Sequence, residues 1–415
     1  MTTDRDRTGL LLGSPDVIDR RLTARLVLAA GVLLGLGTAA DLLLRVPEQV
    51  GLASDVYATA GRALLDGQPV YEAAPAAHPG YRYLYPPIVA LAFVPHALIG
   101  QTGALAIQTG LNVLAGLGTA LVIYRALARR GVGVTGVDFG LLVGTVLLST
   151  HGSGHLINGQ TTAWVAFAVA AGFAALDRRR EHLAGAAFAG AALIKVFPAA
   201  VGFWLLRARA RRAVGVALAV GVAGLLAGLA LGVEQTAAYV EEVLLGRFED
   251  RTFDGRPEPT DSAGGAQRQV AALFGLGSPA TALVAIAVLA PALVAVYAGV
   301  DLEDDADRQA GALATLAVTL LALPLQPRYA LVFLYPLAVL LYTLPGGRAR
   351  TVLLFATAVS FVRLGYEAVR GLTDGVDATV LEAGLVALRA GLTVVQPPTL
   401  GTWLLVLAAV LIVRR

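Results

Sequence analysis

The sequence predicts an all-α polytopic membrane protein, and three observations predict it. Of 415 residues, 57% are hydrophobic and 15% are charged, where a soluble domain carries about a quarter charged. The mean hydropathy is +0.71. Apolar stretches near the length a bilayer requires, about 20 residues, recur along the chain, with short arginine-rich runs between them. The chain has no Cys, so disulfides, iron–sulfur clusters and thiolate zinc sites are excluded. Its 47 Gly suit closely packed membrane helices. The net charge of +3 is small, and Lys195 is the single lysine. The basic residues sit beside apolar segments, which fits a membrane boundary and membrane lipids as partners, not nucleic acid.

Residues 1–21 form a polar tail ahead of the first apolar segment. Asp41 inside that segment, with no small-residue cleavage site, predicts a retained anchor. Residues 22–415 read as a single transmembrane domain. Spans are expected at Leu22–Leu44, Ala104–Tyr124, Val137–Ser149, Thr161–Leu176, Ala213–Val233, Pro279–Val300, Ala310–Leu323, Tyr329–Leu344, Thr351–Val369 and Leu400–Val413. Leu183–Leu206 is interrupted by Lys195-Val196-Phe197-Pro198, and arginines flank both ends. Proline breaks a helix, so this stretch reads as a hairpin of two short helices bent at Lys195–Pro198. The total is about twelve crossings with both termini inside. Twenty of the 32 basic residues then lie in short inner loops, among them Arg125, Arg129, Arg130, Arg178, Arg207 and Arg212, as the positive-inside rule requires. Pro86–Ile99 reads as an interfacial or re-entrant helix, because a crossing there would put Arg125 to Arg130 outside.

Outer segments follow at residues 46–85, 150–160 and 234–268. A fourth, 371–399, has an apolar stretch placed on the membrane. In the first, Asp55 falls about ten residues past the first span. Val56–Leu65 can form a short amphipathic juxtamembrane helix, and Asp55 is either its N-cap, a position Asp favours, or a reactive carboxylate.

The ordered set Asp55-x-Tyr57, Gly67-x-x-x-Tyr71, Tyr83-x-Tyr85-Pro86-Pro87, Asn158-Gly159-Gln160 and Lys195-x-x-Pro198 resembles glycosyltransferase family 87. That resemblance implies a GT-C-like bundle and an enzyme that uses a polyprenyl-phosphate sugar, mannose above all, as donor. It implies an extracytoplasmic glycolipid or glycan acceptor and an active site on the outer face of the cell membrane. It implies Asp55 as general base in an inverting transfer; no cofactor and no metal are expected from the residues. A base must lie within about 3 Å of the hydroxyl it activates. Tyr57, Tyr85, Asn158, Gln160 and His155 are then expected to contact substrate.

The donor phosphate needs cations at the membrane boundary, and Lys195, Arg328 and Arg82 are the candidates. An ionisable residue within a span is costly. Lys195 therefore either serves the phosphate or snorkels and pairs with an acid such as Asp41. Arg328 either binds phosphate or anchors the interface. Here the sequence departs from the family pattern, with Leu323-Pro324 and Arg328-Tyr329 in place of Ser-Pro, Trp and His. His151 and His155 are four apart, but Gly152 and Gly154 argue against the helix that a shared metal would need. Residues 234–268 read as a solvated loop over the site, Gln267-Arg268-Gln269 as a weak echo of a family element, and Arg363 with Glu367 as an ion pair. The competing reading is a transporter or flippase that uses Lys195, Arg328 and Asp41 as midplane charges. The long loop bearing Asp55 and the lack of internal repeats weigh against it.

Overall fold

The computed structural model describes residues 15–246, 257–259, 261, 263–364, 366, 369 and 378–415. Residues 1–14 of the tail, Arg247, Arg251 and Arg256 of the third outer segment, and Glu367 lie outside the described residues. Every regular element among those described is helical.

The order is α1 (Pro15–Arg45), α2 (Leu52–Leu65), α3 (Pro87–Ala90), α4 (Val94–Leu98), α5 (Gly100–Arg129), α6 (Gly136–Leu148), α7 (Ser153–Asn158), α8 (Thr162–Asp177) and α9 (Glu181–Ile194). Then come α10 (Val201–Arg207), α11 (Arg211–Leu229), α12 (Val233–Ala238), α13 (Ala266–Phe274), α14 (Ala280–Gly299) and α15 (Asp305–Ala322). The chain ends with α16 (Leu334–Thr343), α17 (Arg348–Ser360), α18 (Ala378–Val394) and α19 (Pro397–Ile412).

Among the described residues four helices are long and apolar enough to cross a membrane: Arg20–Arg45 of α1, α5, α11 and α14. Glu382–Val394 and Pro397–Ile412, bent by 53°, make a fifth if they count as one span. Length and composition therefore supply four or five crossings, not the twelve expected. The shortfall arises because α6, α8, α9 and α16 run only 10 to 16 residues, less than the bilayer thickness for a straight helix.

The helix ends sort into two groups. At one end, Arg25 makes a bidentate pair with Asp138, Nε to Oδ1 and Nη2 to Oδ2, both 2.7 Å. Asp138 also closes a capping box with Thr135 at the start of α6 and accepts from the Tyr342 hydroxyl at 3.0 Å. Beside it, Arg130 bonds Asp177 at 2.6 Å and Asp305 at 2.7 Å, and the Tyr335 hydroxyl donates to Asp177. Charge-assisted bonds of this geometry are stronger than neutral ones. They tie together the termini of α1, α5, α6, α8, α15 and α16.

The opposite end gathers α2, α3, α4, α7, α13 and the turns between the long helices. The α9–α10 hairpin shows both ends at once. Glu181 Oε2 accepts from the Arg212 and Ala213 N–H groups at 2.9 and 3.3 Å, so α9 starts beside the start of α11. The chain turns back at Lys195, at the other end, through a short 3-10 turn carrying Pro198. The expected bend is where the structure puts it. Small residues permit the tight crossings. A Cβ on Gly61 would meet the Phe93 carbonyl oxygen at 2.5 Å, which is how closely α2 lies on the α3–α4 segment. Just before that segment Tyr85 bonds Thr161, and within α4 His96 bonds Gln108. The segment runs along α2.

Candidate active site

The site is built from α2 outward. Gly51 adopts φ +74°, a left-handed conformation that glycine takes without strain, and it is the residue before α2. Its N–H donates to the Ile157 carbonyl at 2.9 Å, joining α2 to α7. Leu52, Val56, Ala60 and Ala63 face the protein and are buried, a helical spacing.

The helix thus begins at Leu52, three residues before Asp55, and Asp55 is not its N-cap. The Asp55 backbone N–H bonds the Gly51 carbonyl at 2.9 Å, and its side chain is free for other work. That carboxylate is 8% exposed and accepts from the Gln101 amide at the start of α5. Burial pushes the Asp55 carboxyl above the usual carboxylate range. The Gln101 hydrogen bond and the charge of His78 pull the other way.

The second outer segment forms α7 despite its glycines, so His155 lies on a helix while His151 lies before it. Their surroundings differ. His151 Nε2 is 3.4 Å from the Ser360 hydroxyl and its ring lies 5.2 Å from Phe361. The His155 ring stacks on Tyr329 at 5.3 Å. Burial holds both below the usual histidine range, His151 at about 3, helped by the charges of Arg363 and Arg328. For His155 the added charges are Arg328 and Lys195. Both rings are neutral at pH 7.

Gly159 closes α7 at φ +72°. A Cβ there would lie 3.0 Å from Ser54 Cβ, so the Asn158-Gly159-Gln160 turn rests against the residue before Asp55. The Asn158 amide is used within α7, donating to the Gly154 carbonyl at 3.0 Å. The Gln160 side chain reaches the other way, its Oε1 3.5 Å from Lys195 Nζ.

Lys195 is half-buried, 4.7 Å above the centre of the Tyr329 ring and 5.6 Å from that of Tyr85. Aromatic faces attract a cation within about 6 Å. Lys195 pairs with no carboxylate among the described residues. Asp41 is instead bonded to Arg45 at 2.9 Å, because both stand one turn apart on α1, away from the hairpin bend.

Arg328 opens the turn before α16 and is half-buried. Its Nη1 stands 3.0 Å from where a Gly154 Cβ would be. Burial and the charge of Arg363 lower its ordinary value to about 10, so it remains a cation at pH 7. It has no ion pair among the described residues either. Arg363 follows α17 outside any helix, and Glu367, its expected partner, lies outside the described residues.

Tyr57 and Tyr85 line the wall between these groups. The Tyr57 and Tyr85 hydroxyls are 2.7 Å apart, and Tyr85 is 3.0 Å from the Thr161 hydroxyl. Tyr57 stacks on Phe93 at 4.3 Å. Arg82 is exposed on the loop ahead of Tyr83 and has no hydrogen bond or ion pair among the described residues.

The geometry thus sets one buried carboxylate and two cations without an ion pair among the described residues at the same end of the bundle. The chemistry this arrangement supports is handling of an anion beside a base. The family model of glycosyltransferase family 87 matches residues 83–327, well over half of the chain. The chain belongs to glycosyltransferase family 87. Its apolar helices and that family make it a membrane glycosyltransferase. No curated protein and no solved structure matches it. Tyr85, Asn158, His155, Gln160 and Lys195 fall within the matched residues. Asp55, Tyr57 and Arg82 precede them and Arg328 follows by one residue, so the family match does not reach these four.

Two site neighbours and one structural residue escaped sequence reasoning. Gln101 carried one signal, a polar residue opening an apolar stretch. Tyr329 stood beside Arg328 but read as the start of a span. Arg268, read as part of a solvated loop, is fully buried and donates to the carbonyls of Thr393, Asp261, Ala263, Leu392 and Glu258.

Proposed function

We propose that this family 87 glycosyltransferase moves a hexose, mannose foremost, from a polyprenyl phosphate to an extracytoplasmic glycolipid or glycan. The short apolar helices would complete about twelve crossings in this reading, with the α2 end facing outward. Asp55 takes the proton of an acceptor hydroxyl while that oxygen attacks C1 of the donor sugar. The C1–O bond to phosphate breaks, its electron pair leaves with the lipid phosphate, and the anomeric centre inverts. Lys195 and Arg328 bind the phosphate, and Arg82 lies exposed where it can meet it. Tyr57, Tyr85, Asn158, Gln160 and His155 shape the sugar site, with neutral His155 a donor or acceptor to hydroxyls.

The observation that carries this reading is the placement of Asp55. Its carboxylate is buried, caps no helix, has no cation bonded to it among the described residues, and sits one contact from the Gly159-Gln160 turn that reaches Lys195. A carboxylate with raised affinity for protons is suited to general base work.

The test is transfer of radiolabelled mannose from polyprenyl-phosphate-mannose in membranes bearing the wild type or Asp55→Asn. Transfer by the wild type alone supports donor and base together. Equal transfer by both removes Asp55 from the mechanism. Translocation of the lipid in vesicles without any sugar transfer would point to a flippase.

A further inference from the structure

A small buried cavity of about 10 Å³ lies among α5, α6, α7 and α8, beside the turn that carries Gln160. That is about the space one water molecule needs. Asn112, His155 and Gln160 are its polar walls, and Val146, Leu147 and Ala163 are among its apolar ones.

Asn112 is 1% exposed and belongs to α5, a helix long and apolar enough to cross the membrane. Its Oδ1 accepts from the Gln108 amide at 3.4 Å, and Gln108 Oε1 accepts from His96 Nε2 at 3.1 Å. The Asn112 Nδ2 has no hydrogen-bond partner among the described residues. An amide N–H buried unpaired is costly, and bulk water does not reach it inside a bilayer. The apolar side chains of the cavity wall offer it no acceptor.

His155 is 4% exposed on the facing helix. Neither of its ring nitrogens makes a hydrogen bond of normal geometry among the described residues. The Arg328 backbone lies within reach of one of them, which leaves the other for a further partner. A neutral imidazole carries one N–H and one bare nitrogen. A water molecule between the two side chains satisfies both, since it accepts from the Asn112 N–H and donates to the bare nitrogen.

We infer that this cavity holds one ordered water molecule, and that Asn112 is a positioning residue that acts through it on His155. The water fixes which nitrogen of His155 keeps the proton and holds the plane of the ring. The same ring stacks on Tyr329 at 5.3 Å, and the Lys195 ammonium stands 4.7 Å from the Tyr329 centre. Gln160, on the cavity wall, also turns its Oε1 to that ammonium. Asn112 thus supports, from inside the bundle, the groups that surround the cation of the donor site. The positioning role rests on the transfer proposed above; the water site does not.

The test labels histidine in the full-length protein and reads the ring nitrogens by NMR, with the His155 signal identified by its loss in His155→Gln. The wild type should show a bare nitrogen that accepts a hydrogen bond. Asn112→Leu removes the donor, and Ala163→Val keeps Asn112 but fills the water's place. Both should move the signal to that of an unbonded nitrogen, so a folding failure in one leaves the other to decide. Both should also raise the donor KM roughly threefold to tenfold, the order of one hydrogen bond, with kcat less affected. Asn112→Ala leaves the space open to water, so its donor KM should stay nearer the wild type's. An unmoved His155 signal in both filled variants overturns the water site. A donor KM higher in Asn112→Ala than in Asn112→Leu means that Asn112 serves packing alone, and overturns the positioning role. A wild type that transfers no mannose counts against the proposed function instead, and the His155 signal still decides the water site.

Discussion

The Lys195 ammonium stands 4.7 Å from the centre of the Tyr329 ring and 3.5 Å from its hydroxyl. Aromatic faces and neutral oxygens surround it, where an acid would have cancelled its charge. The cation is held in place yet left able to bind an anion. Replacing Lys195 with Met should raise the KM for the lipid-phosphate donor by roughly 10- to 100-fold, the worth of one charge-assisted bond. Lys195→Arg should retain part of it. Donor titrations at fixed acceptor measure this, and an unchanged donor KM in Lys195→Met would remove Lys195 from phosphate binding.

Asp55→Asn should lower the rate of transfer by about 10²- to 10⁴-fold, the usual contribution of a positioned base. The protein should remain folded at neutral pH. Burial raises the Asp55 value, which means the fold disfavours the charge there, and a neutral amide of the same shape does not bear that cost. Inserted yield and melting temperature check the second point. A variant that has lost its fold would show the carboxylate to be structural.

The pH dependence follows from the same shift. The ionised form of Asp55 is the active one, so the rate rises with pH through its value. Because burial raises that value, the acid limb should lie above the usual carboxylate range. Gln101 lowers the value by donating to the carboxylate. Gln101→Ala should therefore move the limb further up and leave the plateau rate less affected than the rate at low pH. Rate profiles of the two proteins decide it. A limb that moves down in Gln101→Ala contradicts the assignment.

Gly154 and Gly152 separate positioning from folding. A Cβ at 154 meets the tip of Arg328, a flexible side chain, at 3.0 Å. Gly154→Ala should shift the guanidinium and raise the donor KM a few-fold, with little change in melting temperature. A Cβ at 152 instead runs into the Val146 carbonyl. Gly152→Ala should lower the melting temperature, since fixed backbone cannot yield as a side-chain tip can. The reverse pattern would dissociate Arg328 from the donor.

Arg268 joins residues 258–263 to the end of α18 through five carbonyls. Arg268→Ala leaves several of them buried without a donor, at about 1–3 kcal/mol each. A marked loss of stability and faster proteolysis within residues 258–263 are expected. Limited proteolysis beside the wild type reads both. Unchanged cleavage would mean that other contacts hold this segment.

The sequence by itself determined the membrane character, the all-helical class, the bend at Lys195–Pro198 and the residues worth testing. These are local properties: hydropathy summed over a window, a proline that stops a helix, and a lone lysine in apolar surroundings. The number of crossings was not local in this way, because short helices such as α6 and α16 fall below the spanning length that a window count assumes. Tertiary structure alone decided what each polar group does. Gln101 meets Asp55 across 46 positions, and Lys195 meets Tyr329 across 134. It decided between the two readings of Asp55, ruling out the cap by starting α2 at Leu52, and it placed Arg268 in the interior. No spacing in the chain encodes such meetings, since they depend on which helix faces pack together, and packing is a property of the whole bundle.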